Sequence, residues 1–279
     1  MSVSLIAVDV DGTLLNSNGE ITAETQAAFH DAAAHGIRLV LSTGRARDEC
    51  AYILRQLPEL HYMINCSGAS VYDVTQEREL YVEGLSMETI RDLYRRLAPV
   101  DCLFELMAEG HVFTDRQRLA HLPEYHNHYY IEIIRSTRTP VDMETLLRTR
   151  TGPVAKLHLF FRCEADQRRA RALLEPAGIP ILNSIPENLE LNLPTVHKGL
   201  GLRRLAEYLH IPPEACMAIG DNFNDVGMLR EAGYPVLVAN ANPEVFPYAD
   251  YVTASCDENG VAKAIWHVLS NTLDTLRRE

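Results

Sequence analysis

The ten residues Leu5–Leu14, LIAVDVDGTL, decide the fold of this chain. The first four are all apolar, which is typical of a short strand that is buried on both faces of a parallel sheet. Asp9 and Asp11 follow where that strand ends, and Gly12 lets the chain turn away. In open α/β sheets, ligands bind in the crevice at the carboxyl ends of the strands. The stretch therefore predicts a strand end with two carboxylates at a binding crevice, although Asp-Gly is also a common turn dipeptide.

The composition of the chain disfavours several classes of protein. Its 279 residues, of which 47% are hydrophobic, suffice for two domains with separate cores. A formal net charge of −12 disfavours a nucleic-acid partner, and no apolar run approaches the roughly 20 residues that span a bilayer. The sequence starts without the charged segment of a signal peptide, and its six cysteines form no C-x-x-C pair. We expect a cytoplasmic monomer or homodimer with reduced cysteines and no nucleic-acid or membrane partner.

Strands and helices alternate in the first and last thirds of the chain. After the first strand, Thr22 can begin a helix that runs to about His35. Such alternation is typical of a parallel sheet with right-handed crossovers, so the sequence predicts an α/β core. The further core strands are expected over 37–41, 62–64, 189–193, 216–219 and 235–239.

The middle of the chain has a different pattern, which predicts an α+β unit with one sheet and helices on one face. We expect this unit over 84–187, as a domain inserted into a core of 1–83 and 188–279. Residues 115–150 are weakly patterned and polar, with one short helix near 142–148. The other expected elements are strands over 102–107, 111–114, 154–161 and 179–184 and helices over 86–97 and 164–174.

Polar groups that suit a phosphate and a cation follow the ends of the predicted core strands. Because the carboxyl ends of parallel strands meet at one edge, we expect these groups to converge. Carboxylates suit Mg²⁺, whereas hydroxyl, ammonium and helix N-terminal N–H groups suit phosphate oxygens. One carboxylate can attack phosphorus, and a second can transfer a proton. The groups are Asp9 and Asp11, Thr43, Lys198 at a helix start, and Asp221, Asn224 and Asp225.

Four stretches of the chain resemble the four motifs of the haloacid dehalogenase-like (HAD) hydrolases. Together, in this order and at these separations, they are far more specific than any one of them alone. The Thr-Gly-Arg form of the second motif and the position of the insert resemble the Cof-type (class IIB) phosphatases. The resemblance implies an α/β fold with a Rossmann-like parallel-sheet core and an inserted α+β cap domain. The four stretches are Asp9–Leu14, Ser42–Arg45, Lys198–Gly199 and Gly220–Leu229.

The resemblance also implies a role for each residue of the site. The implied activity is Mg²⁺-dependent hydrolysis of small phosphorylated metabolites (sugar phosphates, nucleotides or phosphorylated cofactors) through an aspartyl-phosphate. Asp9 would be the nucleophile and Asp11 the general acid/base. The Mg²⁺ would be held by the carboxylates of Asp9 and Asp221 and the backbone carbonyl of Asp11, with Asn224 and Asp225 orienting these ligands. Thr43, the backbone of Gly44 and Lys198 would contact the phosphate, while Arg45 would contact the substrate or form a surface salt bridge.

In relatives, the insert is a mobile cap that closes over the phosphate and contacts the rest of the substrate. Its polar candidates here are the run 121–130, Lys156 and His158. We interpret the run as an exposed loop, because its histidines lack a second set of metal ligands. Lys156 alternates with apolar neighbours and is interpreted as a residue on a sheet face. Ser67 replaces the asparagine of the Asn-Gly-Ala turn found in many relatives, which leaves any role of that turn in the site open.

Three alternative functions remain. A phosphomutase of the same superfamily would return the phosphoryl group to its substrate. A signalling receiver domain also combines acidic residues, a threonine and a lysine, but it lacks the inserted domain. A non-catalytic binding protein can share the fold, although a full set of acidic, threonine and lysine residues argues against a decayed site. A P-loop is excluded, because the chain has no G-x-x-x-x-G-K-[ST] motif.

Overall fold

The computed structural model describes residues 3–125, 131–183 and 187–276. They fall into two compact units. The larger unit consists of Met1–Arg45, Cys50–Tyr81 and His197–Glu279. The smaller unit consists of Ala46–Glu49 and Val82–Val196.

The described strands and helices are numbered along the chain. The strands are β1 (Leu5–Asp9), β2 (Arg38–Ser42), β3 (Tyr62–Asn65), β4 (Ser70–Asp73), β5 (Arg78–Val82), β6 (Cys102–Ala108), β7 (His111–Asp115), β8 (Arg138–Val141), β9 (Lys156–Phe161), β10 (Ile181–Leu182), β11 (Asn188–Leu191), β12 (Cys216–Gly220), β13 (Tyr234–Leu237) and β14 (Tyr251–Val252). The helices are α1 (Ala23–Ala34), α2 (Ala51–Gln56), α3 (Met87–Arg96), α4 (Arg116–Leu119), α5 (Ile131–Thr137), α6 (Met143–Thr149), α7 (Glu164–Leu174), α8 (Lys198–Leu209), α9 (Val226–Glu231) and α10 (Gly260–Leu276).

The larger unit is built on a sheet of order β14-β13-β12-β1-β2-β3-β4-β5. Its strands pair in parallel from β14 to β3, and β4 is antiparallel to β3. Every residue of β1 is buried, as in a strand that is covered on both faces. Around the sheet, α1 packs against α10 and α8 packs against α9. The predicted parallel-sheet α/β core is confirmed.

The local sequence determines where the helix after β1 begins and which of its faces is buried. The side chain of Thr22 accepts a hydrogen bond from the N–H of Thr25 and begins α1. The buried face of α1 includes Ala28, Phe29 and Ala32. The small alanines on this face suit close packing of the helix. The helix predicted between Thr22 and His35 is confirmed.

The smaller unit is built on a sheet of order β10-β11-β9-β6-β7-β8. Successive side chains along each of its strands lie on opposite faces of the sheet. Phe104, Leu106, Leu157 and Leu159 pack with buried residues of α3, α6 and α7 in one apolar core. The residues between them, such as Glu105, lie on the other face. Helices therefore cover one face of this sheet, as expected for an α+β unit.

The strand expected over 189–193 belongs to the smaller sheet and not to the core. It forms part of β11, which pairs antiparallel with β9 through Leu189 and Leu159. The smaller unit consequently runs on to Val196 instead of the expected boundary at 187, and it also takes in Ala46–Glu49. A short apolar run fits either sheet equally well, and its partner strand is not encoded by the local pattern.

The weakly patterned stretch 115–150 contains more structure than expected. Besides α6 it forms α4, α5 and β8. β8 lies at the edge of its sheet and contains Pro140, which edge strands tolerate. Of the polar run 121–130, His121 is exposed and contacts Glu124, whereas 126–130 lie outside the described residues. None of the described helices has the length and apolar character needed to cross a bilayer.

Candidate active site

Asp9 and Lys198 meet at the carboxyl edge of the larger sheet. Asp9 is the last residue of β1, and its Oδ1 accepts a hydrogen bond from Lys198 Nζ. Lys198 is the first residue of α8, and its Nζ also donates to Asp225 Oδ1 at 2.6 Å. The Lys198 side chain is fully buried. A single ammonium group therefore joins two carboxylates that come from different strand ends.

Asp225 fixes the turn that follows β12. Its Oδ2 accepts hydrogen bonds from the N–H groups of Asp221 at 2.9 Å and of Asn222 at 3.1 Å. The Asn222 side chain in turn accepts from the N–H of Phe223. Because both oxygens of Asp225 are engaged by Lys198 and by the backbone, its carboxylate serves to hold the turn and the lysine in place.

Asp221 lies against the turn that follows β1. Thr13 Oγ1 is 3.4 Å from Asp221 Oδ1. Gly12 has a φ of +81°, and a Cβ at this position would lie 2.6 Å from Asp221 Oδ2. The turn therefore requires glycine both for its backbone conformation and for the approach of the carboxylate.

Asn240 connects this turn to the backbone at Cys256. Its Nδ2 donates to the carbonyl oxygen of Gly12 at 2.8 Å, and its Oδ1 accepts from the N–H of Cys256 at 2.8 Å. The sequence analysis did not identify Asn240, Thr13 or Tyr52 as parts of the site. Asn240 follows the end of β13 on the same sheet edge, so the strand-end rule could have identified it.

Arg45 connects the loops after β1 and β2. Its guanidinium donates to both oxygens of Asp11, from Nε at 3.0 Å and from Nη2 at 2.5 Å. Its Nη1 donates to Tyr52 Oη at 3.1 Å, and its backbone N–H donates to Thr43 Oγ1 at 3.2 Å. The Arg45 side chain is only 11% exposed. Arg45 thus forms a bidentate salt bridge with Asp11, in which the guanidinium is largely buried and the carboxylate is 44% exposed.

The turn after β3 supports the loop that contains Thr43. The N–H of Ser67 donates to the carbonyl of Thr43, and the N–H of Cys66 donates to the carbonyl of Arg45, both at 3.0 Å. Gly68 has a φ of +104°, and a Cβ there would lie 2.1 Å from the carbonyl oxygen of His197. The turn therefore packs against the start of the helix that contains Lys198, although Ser67 replaces the asparagine found there in many relatives.

The structure does not bring every predicted residue into this cluster. Asp9, Lys198, Asp221 and Asp225 lie together, and buried Thr43 follows the adjacent strand β2. Gly44 lies between Thr43 and Arg45 in the same loop. Asn224 is exposed, and its side chain forms no hydrogen bond within the described part of the chain.

The cluster carries more negative than positive charge. Oxygens of Asp9, Asp221 and Asp225 lie within 4.8 Å of one another, beside the one ammonium group of Lys198. Burial and the charge of Asp225 raise the pKa of Asp9 well above its usual range. Burial and Asp225 also raise the pKa of Asp221 to about 6. Buried carboxylate oxygens with uncompensated charge are the donors that a hard divalent cation prefers, so these residues fit a metal ion.

Comparisons with known proteins agree with this geometry. A family model described as haloacid dehalogenase-like hydrolase matches residues 6–265. The chain is 29% identical to Phosphatase YwpJ of Bacillus subtilis, over 96% of this chain and 100% of that protein. It is also 29% identical to the 5-amino-6-(5-phospho-D-ribitylamino)uracil phosphatase YcsE of the same organism, over 96% of each.

A solved structure shows the same fold. The chain matches a haloacid dehalogenase-like hydrolase from Bacteroides thetaiotaomicron with a TM-score of 0.83 and 26% identity, over 96% of this chain and 100% of that one. These similarities confirm the resemblance to the HAD hydrolases and their Cof-type subfamily, and the prediction of an enzyme. The chain belongs to the haloacid dehalogenase-like hydrolase family.

Proposed function

We propose that this chain is a Mg²⁺-dependent phosphatase that hydrolyses small phosphorylated metabolites through an aspartyl-phosphate on Asp9. The observation that supports this function best is the buried cluster of Asp9, Lys198, Asp221 and Asp225, in which one ammonium group serves several carboxylates. Relatives over nearly the whole chain are named phosphatases. Together these support a reaction in which a phosphoryl group and a cation occupy the cluster.

The carboxylates of Asp9 and Asp221 and the backbone carbonyl of Asp11 would hold the Mg²⁺. Asp225 is better suited to positioning, because both of its oxygens are already hydrogen-bonded. When bound, Mg²⁺ would neutralise negative charge on the phosphoryl oxygens and on the carboxylates.

The phosphoryl group would be held by the hydroxyl of Thr43, the backbone N–H of Gly44 and the ammonium of Lys198. Thr43 is buried, and its position is fixed by the turn at Ser67. Lys198 stays protonated, because the charges of Asp225 and Asp9 outweigh the effect of burial and raise its pKa. It can thus offset the charge of the transferred group.

In the first step, a carboxylate oxygen of Asp9 attacks phosphorus while the bond between phosphorus and the ester oxygen breaks. Asp11 gives its proton to the departing oxygen, which leaves as an alcohol. In the second step, a water attacks phosphorus, Asp11 takes a proton from it, and the bond from phosphorus to Asp9 breaks. In this structure Arg45 donates to both oxygens of Asp11, so this pair would have to open before Asp11 could carry and transfer the proton.

The decisive measurement is phosphate release from a panel of phosphorylated metabolites after EDTA treatment, with and without added Mg²⁺. We expect release only with Mg²⁺. In Asp11→Asn, a good leaving group such as p-nitrophenolate still departs, but attack by water is slowed, so a phosphoenzyme is expected to accumulate. Full activity without any divalent ion would contradict the metal assignment. No phosphoenzyme in rapid-quench samples of Asp11→Asn, despite slow turnover, would contradict the proposed role of Asp11.

A further inference from the structure

His197 directly precedes Lys198, the buried lysine of the charged cluster. Its backbone is extended, with a φ of −154° and a ψ of 161°, so it caps the start of α8 and lies outside the helix. The N–H of Leu200 donates to the carbonyl oxygen of His197 at 2.9 Å and to His197 Nδ1 at 3.2 Å. Because a backbone N–H only donates, Nδ1 accepts and carries no proton. The imidazole therefore caps α8 in its neutral form.

Capping alone does not account for a ring at this position. Short side chains such as serine, asparagine and aspartate are preferred at a helix start, and they accept the same hydrogen bond. The carbonyl oxygen of His197 also already shares the N–H of Leu200. A second role of the imidazole must therefore lie in the space that it fills.

The ring of His197 lies against the backbone at the start of a second helix. A Cβ on Gly227, the second residue of α9, would lie 2.7 Å from His197 Nδ1 and 3.4 Å from its Cγ. A Cβ on Gly199 of α8 would lie 2.3 Å from the carbonyl oxygen of Gly227 and 3.0 Å from Nδ1. Neither glycine has a positive φ, so what matters at both positions is space. The ring thus fills the gap between the starts of α8 and α9.

The same two helix starts carry the ion pair of the charged cluster. Lys198 is the first residue of α8, and Asp225 directly precedes α9. Lys198 Nζ donates to Asp225 Oδ1 at 2.6 Å and to Asp9 Oδ1. The separation of α8 and α9 therefore determines where the ammonium group lies between its carboxylates. His197 is exposed, whereas Lys198 is buried, so the ring acts on the ammonium group through the backbone.

We propose that His197 is a positioning residue for Lys198, whose ring sets the separation of α8 and α9 and so holds the ammonium group between Asp9 and Asp225. On the further premise that the proposed phosphatase function is correct, this placement aligns the ammonium group with the transferred phosphoryl group. His197 then contributes to kcat through Lys198 and not through contact with the substrate.

The first test separates the cap from the ring. His197→Asn keeps a capping acceptor but removes the ring, whereas His197→Ala removes both. We expect kcat to fall about 10-fold in both variants, because small displacements of a group that holds the substrate slow the reaction strongly. The urea midpoint should fall further in His197→Ala than in His197→Asn. Full kcat in His197→Asn would show that the residue only caps the helix and would overturn the proposal.

The matched control is His210→Asn at the other end of α8. His210 has a φ of 55°, a conformation that asparagine tolerates. This variant should leave kcat unchanged. A loss equal to that in His197→Asn would show that any change at the ends of α8 slows turnover, and it would refute a specific role of the ring.

A double-mutant cycle tests the contact between the ring and Gly227. In Gly227→Ala the new methyl group collides with the ring, so kcat should fall. When His197→Ala is added, the methyl group occupies the space that the ring has left. The kcat of the double variant should then exceed the product of the two separate losses by at least about fivefold. Losses that simply multiply would mean that the ring and Gly227 act independently, which would refute the spacing role.

A measurement on the ammonium group itself does not depend on catalysis. The chain has three lysines, Lys156, Lys198 and Lys263, so ¹⁵N-lysine labelling gives few ammonium signals, and that of Lys198 is identified by its loss in Lys198→Met. In His197→Asn this signal should shift and exchange faster with water, while the signal of Lys156 should not change. A shifted signal in a protein that hydrolyses no ester would retain the positioning role and refute the phosphatase function. Hydrolysis with an unmoved Lys198 signal would do the reverse.

Discussion

The larger and the smaller unit each bury a charged cluster, but the two differ in how each carboxylate is compensated. In the smaller unit, Arg138 pairs with Glu49 at 2.5 Å and with Glu105, which in turn accepts from the Thr114 hydroxyl. In the larger unit, Lys198 is shared between Asp9 and Asp225, and Asp221 lies against the hydroxyl of Thr13. The first cluster has a direct cation contact for each carboxylate, and the second does not.

The pKa shifts of buried carboxylates in the two clusters have opposite signs. Burial alone raises the pKa of Glu49, but the charge and hydrogen bond of Arg138, together with the hydrogen bond from the Ala46 N–H, outweigh it and the pKa is lowered. Burial also raises the pKa of Asp9, and there Lys198 does not outweigh burial together with Asp225. The comparison teaches that the paired cluster needs no further charge, whereas the underpaired one costs stability unless a bound ligand supplies positive charge.

The largest expected effect is on turnover in Asp9→Asn. If Asp9 is the nucleophile, phosphate release should fall by at least about 10⁴-fold, because the covalent route is lost. The same change removes a carboxylate from the underpaired cluster, so the metal-free protein should not unfold more easily in urea. Measurable turnover in a preparation shown by mass spectrometry to be free of the aspartate form would refute the assignment.

The next effect is on stability in Arg138→Met. This change leaves Glu49 and Glu105 buried without their guanidinium, so the free energy of unfolding should fall by about 3–5 kcal/mol in urea titrations. The control is Arg162→Met in the same unit, because Arg162 is 43% exposed and pairs with Asp101 at the surface. It should change stability only slightly. Similar losses in the two variants would show that the buried pair has no special structural role.

A smaller effect of opposite sign is expected for Asp221→Asn. Its raised pKa means that the charged carboxylate destabilises the metal-free fold near neutral pH. Allowing for its partial exposure, the variant should gain about 1–2 kcal/mol in EDTA. Asp257→Asn, an exposed carboxylate of the same unit that accepts the N–H of Ser17, should show no such gain. A destabilised Asp221→Asn would mean that Asp221 is already compensated without a metal.

The smallest effect is the pH dependence of that gain. The folded pKa of Asp221, about 6, lies above its unfolded value, so the folded protein binds the extra proton between those pH values. Wild-type stability should therefore fall relative to Asp221→Asn as the pH rises through about 6, with a slope of at most about 1.4 kcal/mol per pH unit. The two proteins should differ little below about pH 4. A difference that is independent of pH would exclude titration of this carboxylate as the cause.

Local sequence sufficed where the structure depends on neighbours in the chain. The parallel core follows from its buried strands, and the start of α1 follows from its capping threonine. The meeting of Asp9 with Asp221 follows from one rule, that parallel strands end at the same edge.

Pairings between distant residues could not be predicted in this way. Arg138 and Glu49 are 89 residues apart in the chain, and neither position differs locally from an exposed charge. The same holds for Arg45, whose pairing with Asp11 depends on two loops that approach only in the folded sheet. Lys156 alternates with apolar residues, as expected on a sheet face. The pattern does not show that the face on which Lys156 lies is both polar and buried.

The strand order of the larger sheet also sets the order of events during synthesis. β1 pairs with β2 on one side but with β12 on the other, where Leu5 lies opposite Cys216. Apart from Ala46–Glu49, the smaller unit is one continuous segment that ends at Val196. On the ribosome, this segment can fold before the larger sheet has received its later strands. Asp9 is synthesised long before Lys198 and Asp221, so the chain completes its charged site only after the smaller unit has been made.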